Sequence, residues 1–173
     1  MRYALSMRLS SFEAIIQSLN QAGVRYLIAG GLAVNAHGYG RFTQDIDLVL
    51  QLDPHNIEQT LAALRPLGYQ PALPVQDTDF ADPEIRQDWV RSRNMKVFQL
   101  VSDQHPETSV DIFAEEPFAF DHEYGQCLEK PLTDVGMVRF VSLGTLIKMK
   151  QEAGRPQDLA DIDNLRLRTD NNE

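Results

Sequence analysis

Segments with a strand-like pattern alternate with segments with a helix-like pattern along most of this chain. The clearest strand is 45–52, where Ile46 and Leu48 share one face of an extended backbone and acids occupy the other. Upstream, apolar residues recur every three or four positions between Ser11 and Gly23, as they do on one side of a helix. This interleaving predicts an α/β or α+β fold, with helices packed against one face of a mixed sheet.

The other predicted elements follow from the same two periodicities and from the positions of glycine and proline. The predicted strands are 24–29, 95–101, 109–113 and 137–141, and the predicted helices are 32–37, 54–65, 143–153 and 156–167. The stretch 69–82 contains Pro71 and Pro74, which predict irregular chain or an edge strand. The segment 115–131 predicts a loop with one or two helical turns.

Length and charge limit the possible organisation and partners. The 173 residues fit one compact domain, and we expect a main domain over 1–141 with a helical appendage, 142–173, packed on it. The single Cys127 fits a reducing compartment. A net charge of −9 argues against a broad nucleic-acid-binding surface. No apolar run approaches the ~20 residues that span a bilayer, so we expect a cytoplasmic protein without a membrane partner.

Three acidic residues on two predicted strands are the strongest chemical signal. Asp45 and Asp47 are two positions apart on a strand, so both side chains point the same way and can reach one divalent cation or a pair of cations. Asp111 lies between two apolar residues on a later strand. Upstream, Gly30 and Gly31 separate a strand from a short helix, where backbone amides can approach a phosphate.

A simpler interpretation competes with this one. A lone Asp-x-Asp is usually a solvated strand face, and most glycine pairs at strand ends are turns. The order of the features favours the chemical interpretation: a strand, the glycine pair, a short helix, the polar residues Arg41 and Thr43, and then the strand with both acids. Together these features predict half of a metal–nucleotide site.

At these residues the sequence resembles the DNA polymerase beta-like nucleotidyltransferase superfamily. Its signature is a glycine-glycine or glycine-serine turn followed by acid-hydrophobic-acid-hydrophobic, and the residues 30–31 and 45–48 match it. Val110-Asp111-Ile-Phe is similar to the strand that bears the third carboxylate. The C-terminal stretch from Lys150 through Arg155 and Asp158 to Asp161 further resembles small bacterial members, including abortive-infection toxin-type nucleotidyltransferases.

The resemblance implies a nucleotidyltransferase fold with a C-terminal helix pair and a two-metal mechanism. Asp45, Asp47 and Asp111 are the implied catalytic residues and the ligands of two Mg²⁺ ions, and a nucleoside triphosphate (NTP) is the implied substrate. The implied nucleotide-binding residues are Gly30, Gly31, Arg41, Thr43 and Lys150. Asp111 would also help to deprotonate an acceptor hydroxyl for attack on the α-phosphorus.

Lys150 has two interpretations from its own surroundings. It lies on the apolar face of its predicted helix, where it either reaches the nucleotide phosphates or pairs with Asp158 or Asp161. Arg155 and Asp158 are expected to form a structural clamp at the start of the last helix.

The expected function is Mg²⁺-dependent transfer of a nucleoside monophosphate to a hydroxyl of a protein, an RNA or a small molecule, within a toxin–antitoxin or defence system. The alternative is a weak or inactive nucleotidyltransferase-fold module that binds or regulates a partner protein. Two departures from the signature motivate it. Gly31 stands where active members often have serine, and the strand with Asp111 continues as Ile-Phe113 without a second acid.

Overall fold

A computed structural model describes residues 7–170. The helices are α1 (Leu9–Gln21), α2 (Gly30–Ala36), α3 (Pro54–Leu64), α4 (Pro83–Arg93), α5 (Phe120–Gln126), α6 (Leu143–Ala153) and α7 (Pro156–Asp170). The strands are β1 (Tyr26–Ile28), β2 (Asp45–Leu50), β3 (Gln70–Pro71), β4 (Val97–Val101), β5 (Ser109–Phe113), β6 (Leu128–Leu132) and β7 (Gly136–Phe140). Short 3₁₀ helices cover Arg65–Leu67 and Asp77–Ala81.

All seven strands form one mixed sheet in the order β3-β4-β5-β2-β1-β7-β6. The central pair, β2 and β5, is parallel, and so is the pair of β1 and β7. The four remaining neighbour pairs are antiparallel. The expected α/β class with a mixed sheet flanked by helices is therefore confirmed.

One face of the sheet carries the apolar core. Phe98 and Ile112 pair across β4 and β5 and are almost completely buried. The rings of Phe80 and Trp89 stack on Phe98 with centroid distances of 4.4 Å and 5.9 Å. The alternation predicted for β2 holds as well, because Ile46 is fully buried whereas Asp45 is exposed. The alternation of side-chain direction along β2, β4 and β5 therefore determines which of their residues enter the core.

The prediction of helices on one face was incomplete. Leu146 and Met149 of α6 line a cavity together with Val97 of β4 and Phe113 of β5. Val97 and Phe113 are opposite each other and alternate with the buried pair Phe98 and Ile112, so they point to the other face. Helix α6 therefore covers part of the second face, and the two faces differ in how tightly they are covered.

Two elements have no predicted bounds. Helix α4 has few apolar residues, although Asp82 caps it through its side chain and Pro83 occupies its first turn. Strand β6 contains Pro131 and two charged residues, and it exists because it pairs along its length with β7. The two-residue β3 at the sheet edge and α5 agree with the edge strand and the helical turn expected in their segments.

The C-terminal helix pair joins the sheet through β7. Ser142 caps α6 by accepting a hydrogen bond from Thr145 N, and the buried carboxylate of Glu123 accepts hydrogen bonds from Ser142 N and Thr145 Oγ1. Helix α7 buries Ile162 and Leu165. The boundary at residue 141 stays a prediction. Within residues 7–170, no helix combines the length and the apolarity that crossing a membrane requires.

Candidate functional site

The three predicted acids lie on the two central parallel strands. Asp47 on β2 is opposite Asp111 on β5, and Asp45 is opposite Ser109. Ser109 Oγ donates a hydrogen bond of 2.6 Å to Asp45 Oδ1. On the other side of Asp111, Gln99 Nε2 donates one of 3.1 Å to Asp111 Oδ1. The parallel register therefore places all three carboxylates on the more open face of the sheet.

Burial and mutual repulsion shift the acidity of two of these groups. Burial, together with the negative charges of Asp111 and Asp45, raises the pKa of Asp47 to about 7. Burial also raises the pKa of Asp111, while the hydrogen bond from Gln99 opposes this rise. A solvated acid keeps its ordinary pKa, so Asp47 is not a merely solvated surface residue. The site favours a bound cation or proton at Asp47.

Gly30 brings the turn after β1 against Asp47. Its φ is +62°, in the left-handed region that favours glycine. A Cβ at this position would lie 2.0 Å from Asp47 Oδ2, closer than any real contact. Ala29 N also donates a hydrogen bond of 2.9 Å to Asp47 O. Only glycine therefore lets the turn and this carboxylate approach as closely as they do.

Gly31 faces a hydroxyl from the loop before β2. A Cβ at Gly31 would lie 2.9 Å from Thr43 Oγ1 and 3.4 Å from Arg41 Nε. The space that a serine side chain would enter from position 31 is therefore bordered by the hydroxyl of Thr43. The sequence signature gave no indication of this contact, because the two residues are twelve positions apart.

Lys150 and Arg41 meet in a buried group of ion pairs. Lys150 Nζ lies 2.8 Å from Asp161 Oδ2 and 3.3 Å from Asp158 Oδ1. Arg41 pairs with the same oxygen of Asp161 through a short contact. Arg155 makes three hydrogen bonds to Asp158, one through its backbone N–H and two through its guanidinium, which confirms the predicted clamp.

We call these five residues the ion-pair network: Arg41, Lys150, Arg155, Asp158 and Asp161. Both Asp side chains and Lys150 are less than a tenth exposed. The pairing predicted for Lys150 with Asp158 or Asp161 is present with both. Its role toward a nucleotide stays a prediction.

A cavity of about 510 Å³ lies between two of the carboxylates, Asp47 and Asp111, and part of the network. Its lining combines Asp47, Asp111 and Gly30 from the sheet side with Lys150, Arg155 and Asp158 from the helix side. A second cavity of about 510 Å³ adjoins it, since both are lined by Lys96, Phe113, Met149 and Ala153. The adjoining cavities form a groove between the sheet and α6.

The oxygen donors suit Mg²⁺, the ion that the sequence resemblance implies. Within residues 7–170, no three His, Cys, Asp or Glu side chains are grouped closely enough to hold a metal ion by themselves. Magnesium is usually held by one or two carboxylates together with substrate phosphates and water. Asp47 and Asp111, opposite each other on paired strands, match that donor set.

Sequence reasoning missed several residues around the carboxylates. Gln99 and Ser109 belong to strands that were predicted, but their partners follow only from strand register. Lys96 and Met149 reach the cavity from distant segments. These positions depend on strand register and helix packing, which the sequence pattern does not show.

Comparisons with protein families and with curated proteins found no match. Solved structures do match. The lincosamide antibiotic adenylyltransferase LnuA, bound to lincomycin, has a TM-score of 0.63 and 16% identity over 94% of this chain and 98% of its own. ANT(2″)-Ia in complex with adenylyl-2″-tobramycin has a TM-score of 0.57 and 15% identity over 90% and 86%. An antigenic nucleotidyltransferase-like protein from Paracoccidioides brasiliensis has 0.55 and 18% over 90% and 73%.

These structures share the overall fold with this chain at low sequence identity. The shared features extend over nearly the whole length of the chain. The chain therefore has the nucleotidyltransferase fold.

Proposed function

We propose that this protein is a Mg²⁺-dependent nucleotidyltransferase that moves a nucleoside monophosphate from an NTP to a hydroxyl group. One observation carries the proposal: Asp47 and Asp111 are adjacent on paired strands, and Asp47 lies against the tight turn at Gly30. Both acids line a cavity whose opposite wall contains Lys150 and Arg155. Two acids opposite a wall of two cations and one acid suit a substrate made of metal-bound phosphates.

In this proposal each group has a distinct task. Asp45, Asp47 and Asp111 would hold the Mg²⁺ ions, and the chemistry that bound Mg²⁺ would supply is the neutralisation of phosphate charge and of the charge that develops on the reacting oxygens. The backbone at Gly30 and Gly31 lets the triphosphate approach the sheet closely, and the Thr43 hydroxyl donates a hydrogen bond to a phosphate oxygen. Arg41 and Lys150, whose charges are shared with Asp161 and Asp158, would turn the rest of their positive charge toward the phosphates. The carboxylates thus contact the nucleotide through the metal ions, and the other residues contact its phosphates directly.

The reaction is an in-line displacement at the α-phosphorus. A bond forms between the acceptor oxygen and the α-phosphorus, and the bond from that phosphorus to the bridging oxygen of pyrophosphate breaks. The proton of the acceptor hydroxyl passes to Asp111, and pyrophosphate leaves with the electron pair of the broken bond. Holding both reactants in the cavity supplies much of the rate, because the chain itself forms no covalent intermediate.

We further propose a small hydroxylated molecule as the acceptor. The adjoining cavities provide room beside the carboxylates, with Phe113 and Met149 as an apolar wall between them. LnuA and ANT(2″)-Ia, which are similar in fold and length, were solved with lincomycin and with adenylyl-2″-tobramycin. Protein and RNA acceptors, and a role in a toxin–antitoxin system, stay predictions.

Labelled transfer tests the proposal. The purified chain is incubated with each of four α-³²P-NTPs, Mg²⁺ and a panel of hydroxylated antibiotics, and labelled product and pyrophosphate are measured. We expect Mg²⁺-dependent product with at least one NTP, and a loss of at least about 1,000-fold for the double variant Asp45→Asn/Asp47→Asn. The matched control, Asp103→Asn, changes an exposed acid in the β4–β5 turn and should keep full activity.

Calorimetry separates the proposed enzyme from the alternative, a binding module. An enzyme of this kind gives Mg²⁺-dependent heat with an NTP even without its acceptor. No such heat with any NTP, or equal transfer by the double variant and the unchanged chain, would contradict the proposal.

A further inference from the structure

Two of the three carboxylates are held by a neutral side chain from a neighbouring strand. Asp45 Oδ1 accepts from the Ser109 hydroxyl at 2.6 Å, and Asp111 Oδ1 accepts from the Gln99 amide at 3.1 Å. Neither donor belongs to a recognised motif of the sequence. Each bond uses one oxygen of its carboxylate and leaves the second oxygen without that donor.

Strand register explains why these donors are where they are. Ser109 is the partner of Asp45 in the parallel pair β2–β5, and Gln99 is the partner of Asp111 in the antiparallel pair β4–β5. Side chains opposite each other on paired strands point to the same face and lie about 5 Å apart at Cβ. Asp47 has Asp111 itself as its partner. Asp45 and Asp111 therefore each have a hydrogen-bond donor opposite them on a neighbouring strand.

The contribution of these bonds to folding is small. Each bond joins one exposed residue, Asp45 or Gln99, to one half-buried residue, Ser109 or Asp111, so water can reach and replace a lost donor. Their effect on geometry is larger, because an unrestrained Asp side chain turns about two torsions and like charges push it away from its neighbours. A donor fixed on a strand removes part of this freedom before any ligand arrives.

We propose that Ser109 and Gln99 are positioning residues that orient Asp45 and Asp111 for metal-bound nucleotide. Each donor holds one carboxylate oxygen and presents the other to the metal ion. This inference rests on the proposed function.

Manganese tests it directly, because Mn²⁺ takes the same oxygen ligands as Mg²⁺ and its binding is measured by electron paramagnetic resonance. The test variants are Ser109→Ala and Gln99→Met, which remove the donor at nearly constant size. We expect Mn²⁺ binding in the presence of NTP to weaken about two- to twelve-fold, the scale of the net contribution of one typical hydrogen bond. Ser109→Thr keeps the hydroxyl and should keep the affinity.

Control variants come from α4, away from the cavity. Ser92 also donates to an aspartate, Asp88, and Gln87 also bonds a charged side chain, Arg91. Ser92→Ala and Gln87→Met should leave Mn²⁺ binding unchanged. All five variants should melt within about 3 °C of the unchanged chain, as substitutions outside the core usually do.

Double-mutant cycles decide whether each donor acts through its carboxylate. Ser109→Ala should have no further effect on Mn²⁺ binding once Asp45→Asn is present, and Gln99→Met none once Asp111→Asn is present. Additive losses would overturn the inference, as would wild-type affinity of the single variants or losses that follow melting temperature. If the unchanged chain binds no Mn²⁺ with any NTP, the proposed function fails instead.

Discussion

The two sides of the cavity treat charge in opposite ways. On the sheet side, burial and the negative charges of Asp111 and Asp45 raise the pKa of Asp47 to about 7. On the helix side, the ion-pair network sets three cations against two acids, each in direct contact. The network is therefore nearly compensated within the chain, whereas the carboxylates need a cation from outside.

This difference teaches what each side contributes. Buried and paired charges stabilise only while every partner is present, so the network acts as a structural unit that joins α6, α7 and the loop before β2. Like charges on one face cost stability in the absence of ligand, and that cost is typical of functional sites. Substitutions on the two sides should therefore change stability in opposite directions.

Lys150→Met should have the largest effect on stability. It removes the cation shared by Asp158 and Asp161 and leaves both buried acids with one partner fewer. We expect a loss of about 3 kcal/mol in the free energy of unfolding, measured by urea denaturation at pH 7. Lys148→Met on the same helix changes an exposed lysine and serves as the control. An equally small loss in both variants would show that the network is not a structural unit.

Asp47→Asn should stabilise the metal-free chain at high pH. Folding raises the pKa of Asp47 to about 7, so the folded chain holds this proton more tightly than the unfolded chain does. The contribution to stability is complete below about pH 4 and is lost as pH rises through about 7. We expect the variant to gain about 2 kcal/mol at pH 8 and nothing at pH 4, half the ceiling set by the pKa shift.

The measurement is urea unfolding in EDTA at both pH values, with Asp103→Asn as the exposed control. A loss of stability at pH 8 would mean that Asp47 is already compensated, and the contrast between the two sides would disappear. Added Mg²⁺ and NTP should stabilise the unchanged chain at pH 8 and not the variant.

Gly30→Ala should differ from its matched control by less than either change above differs from its own control. A methyl group there meets Asp47 Oδ2 and has to displace the carboxylate. Gly23→Ala is a matched control, because Gly23 has a similar φ of +68° and nothing within 4 Å of its added Cβ. Backbone strain should cost both variants about 1 kcal/mol, and Gly30→Ala about 1 kcal/mol more.

The same pair of variants separates stability from binding. Gly30→Ala should also weaken the binding of Mn²⁺ and NTP, whereas Gly23→Ala should not. If the two variants unfold and bind equally, the Asp47 carboxylate moves away from the added methyl group without a loss of stability or of binding.

Several elements could be predicted because their pattern is local. The alternation of Ile46 and Leu48 with Asp45 and Asp47 determines which side of β2 faces the core, whatever its neighbours are. Helix α6 likewise follows from its apolar spacing and the αL glycine Gly154 at its end.

Other elements depend on a distant partner. The polar strand β6 is stable only beside β7, and its own residues carry no strand periodicity. The bounds of helix α4 were not predicted although its cap, Asp82, is visible in the sequence, because only Trp89 among its residues is both apolar and buried. Short polar elements gain their stability from packing and pairing that the local sequence does not display.

The candidate site divides in the same way. The sequence alone determined that the two acids after the glycine pair point to the same side of their strand, since side-chain direction along a strand follows from the backbone itself. Only the tertiary structure decided that Asp111 lies beside Asp47, that Ser109 and Gln99 hold the outer carboxylates, and that Lys150 is shared by two acids. Register and helix packing bring together residues far apart in the chain, and these depend on the whole core rather than on any local pattern.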